Sequence, residues 1–370
     1  MSVFEQKARQ ILGKADIEIG GNQPWDMQVG NPRLYSRILR QGSIGLGEAY
    51  MDGWWDAEAL DQFFDHLLRT RINRREPWLQ KWLLTTLATL TNRQSFARAF
   101  QVGEEHYDLG NDLYEAMLDP TLAYTCGYWK DAKTLEEAQI AKMDLICRKI
   151  DLRKGQTVLD IGCGWASFAK FAAERYGAKV VGTTVSKEQV VLARKRCEGL
   201  PVEIRLEDYR DTKGSFDHIV SIGMFEQVGY KNYEVFMRKA ASLLKEEGLF
   251  LLHTIGGNRS EVRTDPWIDR YIFPNGMLPS IKQIGASLED VFVMEDWHNF
   301  GADYDKTLMA WHANFQAAWP TLAPKYGERF KRMWEYYLLA CAGSFRARKN
   351  QLWQIVLSKR GVPGGYRSLR

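Results

Sequence analysis

Through roughly the first ninety positions, leucine and phenylalanine recur at helical spacing, in stretches such as LYSRILRQG (34–42) and LDQFFDHLLRTRINRR (60–75). This pattern predicts short helices, with LGEAYMDGWW (46–55) between them. Pro77 would start a further helix whose broad apolar face carries Trp78, Leu79, Trp82, Leu83, Leu87 and Leu90, just after Arg69, Arg71, Arg74 and Arg75. Two readings stand for it: a face lying on an anionic membrane, or a helix docked on the larger domain with arginine stems covering its edge. From Gly155 onward the period changes to short strands separated by helices, the signature of a mainly parallel α/β sheet. Seven strands are expected, at 157–161, 179–184, 202–206, 216–222, 249–255, 291–295 and 352–358. The expected division is a helical domain over 1–92 and a larger domain over 93–370. Within the latter, the aromatic stretch DPWIDRYIFPNG (265–276) and helical material to residue 345 would cover the substrate side of the sheet.

Composition narrows the class. With 45% hydrophobic and 26% charged residues in 370, the chain has a globular profile, and no apolar run reaches the length needed to span a bilayer as a helix. No secretory leader is evident, so the cytoplasm is the expected compartment. The net charge of +4 excludes a generally supercharged, histone-like chain but not a local basic patch that attracts phosphate groups; no nucleic-acid partner is expected. Its distribution is uneven: after Glu335 come seven basic and no acidic residues, Arg346, Arg348, Lys349, Lys359, Arg360, Arg367 and Arg370, able to attract anionic headgroups or to form a tail with no membrane role. Five scattered cysteines without a CxxC pair indicate free thiols, neither a disulfide scaffold nor a metal site.

The strongest local signal is TVLDIGCGWASFAKFAAERYG: a strand carrying Asp160, glycines at 162 and 164, then an amphipathic helix. Gly162 and Gly164 let the chain turn tightly and approach a ligand. The third glycine of the dinucleotide fingerprint is missing, which leaves nicotinamide binding second to another nucleoside ligand. The next strand ends in Thr183 and Thr184, and Ser186 to Gln189 has capping-box spacing, so Gln189 reads either as a cap or as a partner for a ribose hydroxyl. Asp208 would accept from an adenine amino group with Tyr209 near the base plane, or form a solvated acidic turn. Further along, Glu226 follows the fourth strand, His253 lies in the fifth, Tyr304 stands at the front of a helix and Cys126 precedes the sheet in an aromatic segment. The carboxyl ends of parallel strands share one crevice, making Glu226 and His253 neighbours. They form either a chemical site or a buried pair tying two strands; Tyr304 and Cys126 have packing alternatives as well.

EHYDLGNDLY, YTCGYW, VLDIGCGW, SIGMFEQVG, LLHTIG, DPWIDRYIFPNG, EDWHNFGADYDKTL and YYLLACAGSFRAR, spread over nearly the whole chain, closely resemble the bacterial cyclopropane-fatty-acyl-phospholipid synthases and, more distantly, the mycolic-acid cyclopropane synthases. The resemblance implies a class I S-adenosylmethionine-dependent methyltransferase: a Rossmann-like, seven-stranded, mainly parallel sheet with a small helical N-terminal domain. It implies conversion of a cis double bond in an unsaturated phospholipid acyl chain to a cyclopropane, with S-adenosylmethionine as methyl donor. It implies cofactor contacts from Tyr124, Thr125, Asp160, Gly162, Gly164, Thr183, Thr184, Gln189, Asp208 and Tyr209. It also implies a bound bicarbonate as base, held by Cys126, Glu226, His253, Tyr304 and the backbone at Ile255. Cys341 matches a cysteine once considered catalytic in the family, but its small, apolar neighbours suit tight helix packing near the pocket. Two departures from the family pattern are visible: Gln227 where a histidine is common, and Ala166-Ser167 in place of a glycine pair. A homodimer attached peripherally to the inner face of the cytoplasmic membrane is the implied setting. Plain methylation of a lipid, or lipid binding without turnover, are the alternatives.

Overall fold

The computed structural model describes residues 2–70 and 110–370. Arg71, Arg74, Arg75, the helix expected after Pro77 and the link at 91–103 lie outside the described residues.

Two compact units emerge. The first draws on 2–70, 263–274 and 304–350; the second comprises 110–262, 275–303 and 351–370. Chain order predicted one boundary near residue 92, whereas two later segments join the first unit. Aromatic packing explains their recruitment: Tyr336 contacts the rings of Tyr50, Phe64 and Trp267 at 4.5–5.5 Å. A Cβ at Gly47 would stand 2.4 Å from the Trp267 indole, so only glycine admits that ring. The helices expected from the leucine spacing form at Arg33–Gln41 and Leu60–Arg69.

In the second unit the seven strands are β1 (Thr157–Ile161), β2 (Lys179–Thr184), β3 (Val202–Leu206), β4 (Phe216–Ile222), β5 (Leu244–Gly257), β6 (Val293–Asn299) and β7 (Asn350–Ser358). Their order is β3-β2-β1-β4-β5-β7-β6. The β1–β2, β2–β3, β1–β4 and β4–β5 pairs are parallel, and β6–β7 is antiparallel. Chain direction away from β1 therefore reverses between β1 and β4, which opens a crevice at their carboxyl ends. Alternation assigns the two faces: Val158, Leu249, Leu251 and Val356 pack in one apolar cluster, while Leu159, Phe250, Leu252 and Ile355 pack in the other.

Three strands differ in their bounds from the sequence expectation; β7 starts at Asn350, two residues early. β5 starts five residues earlier, where Leu244 pairs with Phe216 across a register irregularity. β6 runs from 293 to 299, not 291 to 295, because pairing with β7 sets its limits; Val291 and Phe292 pack on the core just before it.

Candidate active site

The nucleoside side is built by the β1 and β2 ends. Gly162 and Gly164 adopt left-handed φ of 82° and 56°, and the amides of Gly162 and Cys163 both donate to the Thr183 carbonyl at 2.9 Å. A Cβ at Gly162 would meet the Met224 side chain at 2.6 Å, so the turn needs glycine twice over. Ala166 also sits at φ 63°, in the region where the family pattern favours glycine. A cavity joins Tyr124, Thr125, Asp160, Gly162, Gly164, Thr183, Thr184, Gln189, Asp208 and Tyr209, all the cofactor residues expected from sequence.

Polar groups around this cavity hold one another. Thr184 donates from Oγ1 to Gln189 Oε1 at 2.8 Å, and the Ser186 hydroxyl accepts from the Gln189 amide at 3.3 Å. Only half of the expected capping box forms, because the Gln189 side chain turns to Thr184. Asp208 is no solvated turn. It is 3% exposed and takes the Arg210 guanidinium on both oxygens at 2.7 and 2.8 Å. Burial pushes Asp160 up to about 7, opposed by the charge of Lys142.

Lys142 was not singled out from sequence. Fully enclosed, it donates to Thr125 Oγ1 at 2.7 Å, and burial lowers its ammonium to about 8. It belongs to the helix Leu135–Lys149, which also buries Gln139 and Lys149 on the side packed against the sheet. Polar residues at the apolar spacing of an amphipathic helix were the available signal. Gln139 donates to the Thr125 carbonyl at 2.8 Å, and a Cβ at Gly223 would lie 2.6 Å from the Thr125 methyl. Thr125 is thus fixed from three sides. Arg196 clamps the neighbouring loop, donating to the carbonyls of Trp165 at 2.9 Å and Thr121 at 2.7 Å.

The second cluster lies where β4 and β5 end. Glu226 is in the short 3-10 turn Phe225–Gln227, and its Oε1 accepts from the Ile255 amide at 2.6 Å. The structure therefore ties Glu226 to the strand that carries His253. The Ile255 amide, expected to face an anion, here holds the Glu226 carboxylate. Burial raises Glu226 to about 7, with the Ile255 bond acting in the opposite direction. Gln354 Nε2 stands 3.3 Å from His253 Nδ1, and burial holds this imidazole well below its ordinary pKa, hence neutral. Glu226 Oε2 and His253 Nε2 are buried without a protein hydrogen-bond partner. Cys126 is buried, its thiol directed to the Gly127 carbonyl at 3.2 Å.

Tyr304 and Cys341 belong to the first unit. Tyr304 lies in the first turns of the helix Ala302–Tyr326, stacked on Phe345 at 4.5 Å. Burial pushes the Cys341 thiol up to about 12, which removes the thiolate a nucleophile needs. Among the described residues no cluster has the makings of a metal site.

Comparison with known proteins follows this geometry. The chain is 56% identical over 98% of its length to the cyclopropane-fatty-acyl-phospholipid synthase of Escherichia coli K12, covering 95% of that protein. It is 33% identical to the tuberculostearic acid methyltransferase UfaA1 of Mycobacterium tuberculosis, over 89% of this chain and 82% of the relative. The solved structure of the mycolic acid cyclopropane synthase CmaA1, complexed with SAH and CTAB, matches 70% of this chain and 98% of its own, with 35% identity and a TM-score of 0.66. The sheet and its flanking helices thus have the class I methyltransferase fold, with a helical N-terminal extension. A family model described as mycolic acid cyclopropane synthetase matches residues 94–355, and the chain belongs to that family.

Proposed function

We propose that this protein is a methyltransferase that uses S-adenosylmethionine to convert the cis double bond of an unsaturated phospholipid acyl chain into a cyclopropane. The observation that carries the reading is the near-full-length likeness to a cyclopropane-fatty-acyl-phospholipid synthase, joined to a nucleoside crevice beside two buried, unpartnered polar atoms. In the reaction the alkene π pair attacks the sulfonium methyl carbon, and the carbon–sulfur pair leaves with S-adenosylhomocysteine. A proton is then removed from the transferred methyl, and its C–H pair closes the ring on the adjacent carbocation. An isolated alkene is a weak nucleophile, so alignment of the two reactants and exclusion of water carry much of the catalysis.

The residues near the β4 and β5 ends fit a small oxyanion: a neutral imidazole nitrogen and a carboxyl oxygen, both buried and unpartnered, next to the Cys126 segment. Bicarbonate, when bound, supplies the base for the methyl proton. His253 Nε2 would donate to it. Glu226, poised near neutrality, would accept its hydroxyl through Oε2 while Oε1 stays anchored on Ile255. Cys126 completes the set proposed within the second unit, and Tyr124 would present a ring face to the sulfonium.

The lipid sits in a bilayer, so we place the protein reversibly on the inner face of the cytoplasmic membrane, as a homodimer. Among the described residues no helix is long and apolar enough to cross a membrane. Four of the seven C-terminal cations already hold carboxylates of the chain: Arg346 those of Asp61 and Asp305, Lys359 and Arg360 that of Glu246, and Arg370 that of Asp296. Docking is assigned chiefly to the cluster Arg69, Arg71, Arg74 and Arg75, whose neutralisation should weaken binding to anionic vesicles as added salt does.

The deciding experiment incubates the protein with S-adenosylmethionine and vesicles of cis-unsaturated phospholipid, followed by mass and NMR analysis of the acyl chains. A gain of one CH2 with ring protons is expected. A methyl-branched chain would sink the cyclopropane assignment and leave lipid methylation. Bicarbonate-depleted buffer should abolish turnover and added bicarbonate restore it; indifference to bicarbonate overturns that part.

A further inference from the structure

β7 is buried along its length: Leu352, Trp353, Ile355, Val356 and Leu357 are at most 1% exposed. Gln354 interrupts this apolar run and is itself 0% exposed. Its Oε1 has no hydrogen-bond partner, and a buried unsatisfied amide oxygen destabilises the fold. An apolar side chain of the same shape would make the better core, so packing does not explain a glutamine here. What the amide does touch is His253, at 3.3 Å from Nε2 to Nδ1.

The contact has a direction. A neutral imidazole carries one proton, and the nitrogen opposite a donor is left to accept. Were Nδ1 the protonated nitrogen, two N–H groups would face each other in a dry core. We infer that Gln354 is a positioning residue that fixes His253 as the Nε2–H tautomer, so that the imidazole offers a donor, not an acceptor, toward the site. This inference rests on the proposed anion-binding role of His253.

The sheet keeps the amide in place. His253 and Gln354 lie on neighbouring strands β5 and β7, on the face that carries Leu251 and Val356. Gln354 pairs in register with His298 of β6, whose Nδ1 is 3.0 Å from Lys149 Nζ. The polar row therefore continues away from the site into a buried lysine, which holds the far end of the row.

Long-range proton–nitrogen NMR on protein labelled with 15N-histidine tests the inference, with His253 assigned by the signal lost in His253→Gln. The wild type should show a protonated Nε2 and a pyridine-type Nδ1; a protonated Nδ1 overturns the inference. Gln354→Met should lower kcat at least about ten-fold, the scale of lost second-layer hydrogen bonds, and leave the KM for S-adenosylmethionine within about two-fold. Its unfolding midpoint should equal or exceed that of the wild type. Unchanged kcat overturns the inference, and so does a kcat loss explained by a lower midpoint. Gln354→Glu, whose carboxylate accepts a hydrogen bond from Nδ1–H, should reverse the tautomer; with the wild-type spectrum it decides the matter if the methionine variant does not fold. If His253→Gln instead retains full, bicarbonate-dependent turnover, the anion role fails, and the spectra alone judge Gln354.

Discussion

The two halves of the crevice are built on opposite principles. On the nucleoside side, several polar side chains are held within the protein, Asp208 by Arg210, Gln189 by Thr184, Thr125 by Lys142 and Gln139, although Glu207 Oε2 and Gln227 Oε1 of the cavity wall are buried without a partner. At the β4 and β5 ends, Glu226 Oε2, His253 Nε2 and Gln354 Oε1 are all buried without a protein partner. Internal pairing pre-organises a binding surface without loss of stability. Unpaired buried atoms destabilise the fold, and at Glu226 Oε2 and His253 Nε2 the proposed anion would supply the missing partner. The lesson is a division of labour between a side that holds and a side that reacts.

The sharpest way to break this contrast is at Glu226. Glu226→Gln should lower turnover by about 10²–10³-fold, the range for losing one pre-organised hydrogen bond at a reacting centre, with vesicle binding unchanged; comparable loss of both in product and sedimentation assays would contradict the assignment. The same substitution should relieve a stability burden. Burial raises Glu226 from 4.5 to about 7, so the folded state holds its proton more tightly than the unfolded chain. That contribution is fully present below pH 4.5 and is lost as the pH rises through 7. Denaturant unfolding should accordingly find Glu226→Gln about 2–3 kcal/mol more favourable relative to wild type at pH 8 than at pH 4.5.

On the holding side the effects are smaller and fall on affinity. Asp208→Asn weakens the Arg210 pair and should raise the KM for S-adenosylmethionine about ten-fold, equivalent to about 1.4 kcal/mol, with kcat nearly unchanged. A dominant kcat effect would erase the distinction between the two sides. Smallest is Ala166→Gly. Relief of the left-handed strain opposes the loss of a buried methyl and the added freedom of the unfolded chain, for a net change within about 1 kcal/mol by thermal unfolding.

Much of this architecture was legible because its signals are local. Strands β1 to β4 follow apolar runs bounded by turns, and the glycines at 162 and 164 declare a tight approach wherever they occur in such a context. Lys142, Lys149 and Gln354 escaped notice because residue type suggests exposure, and burial of a lysine or glutamine is decided by which helix or strand packs over it. The Ile255 amide shows the same limit from the other direction. Its partner is a side chain 29 residues away in sequence, and no spacing rule reveals that Glu226 reaches it. Recruitment of 263–274 and 304–350 to the first unit depended likewise on ring-to-ring contacts that chain order conceals.

The strand order has a consequence for how the protein is made. β7, at residues 350–358 of 370, lies between β5 and β6, both of which are synthesised earlier. Folding that follows synthesis from the N-terminus therefore leaves a gap in the sheet until residues 350–358 have left the ribosome. A product truncated before that point lacks both an interior strand and the glutamine beside His253. Its apolar faces stay open to chaperones and proteases. Closure of the sheet and positioning of His253 are thus tied to the same nine residues.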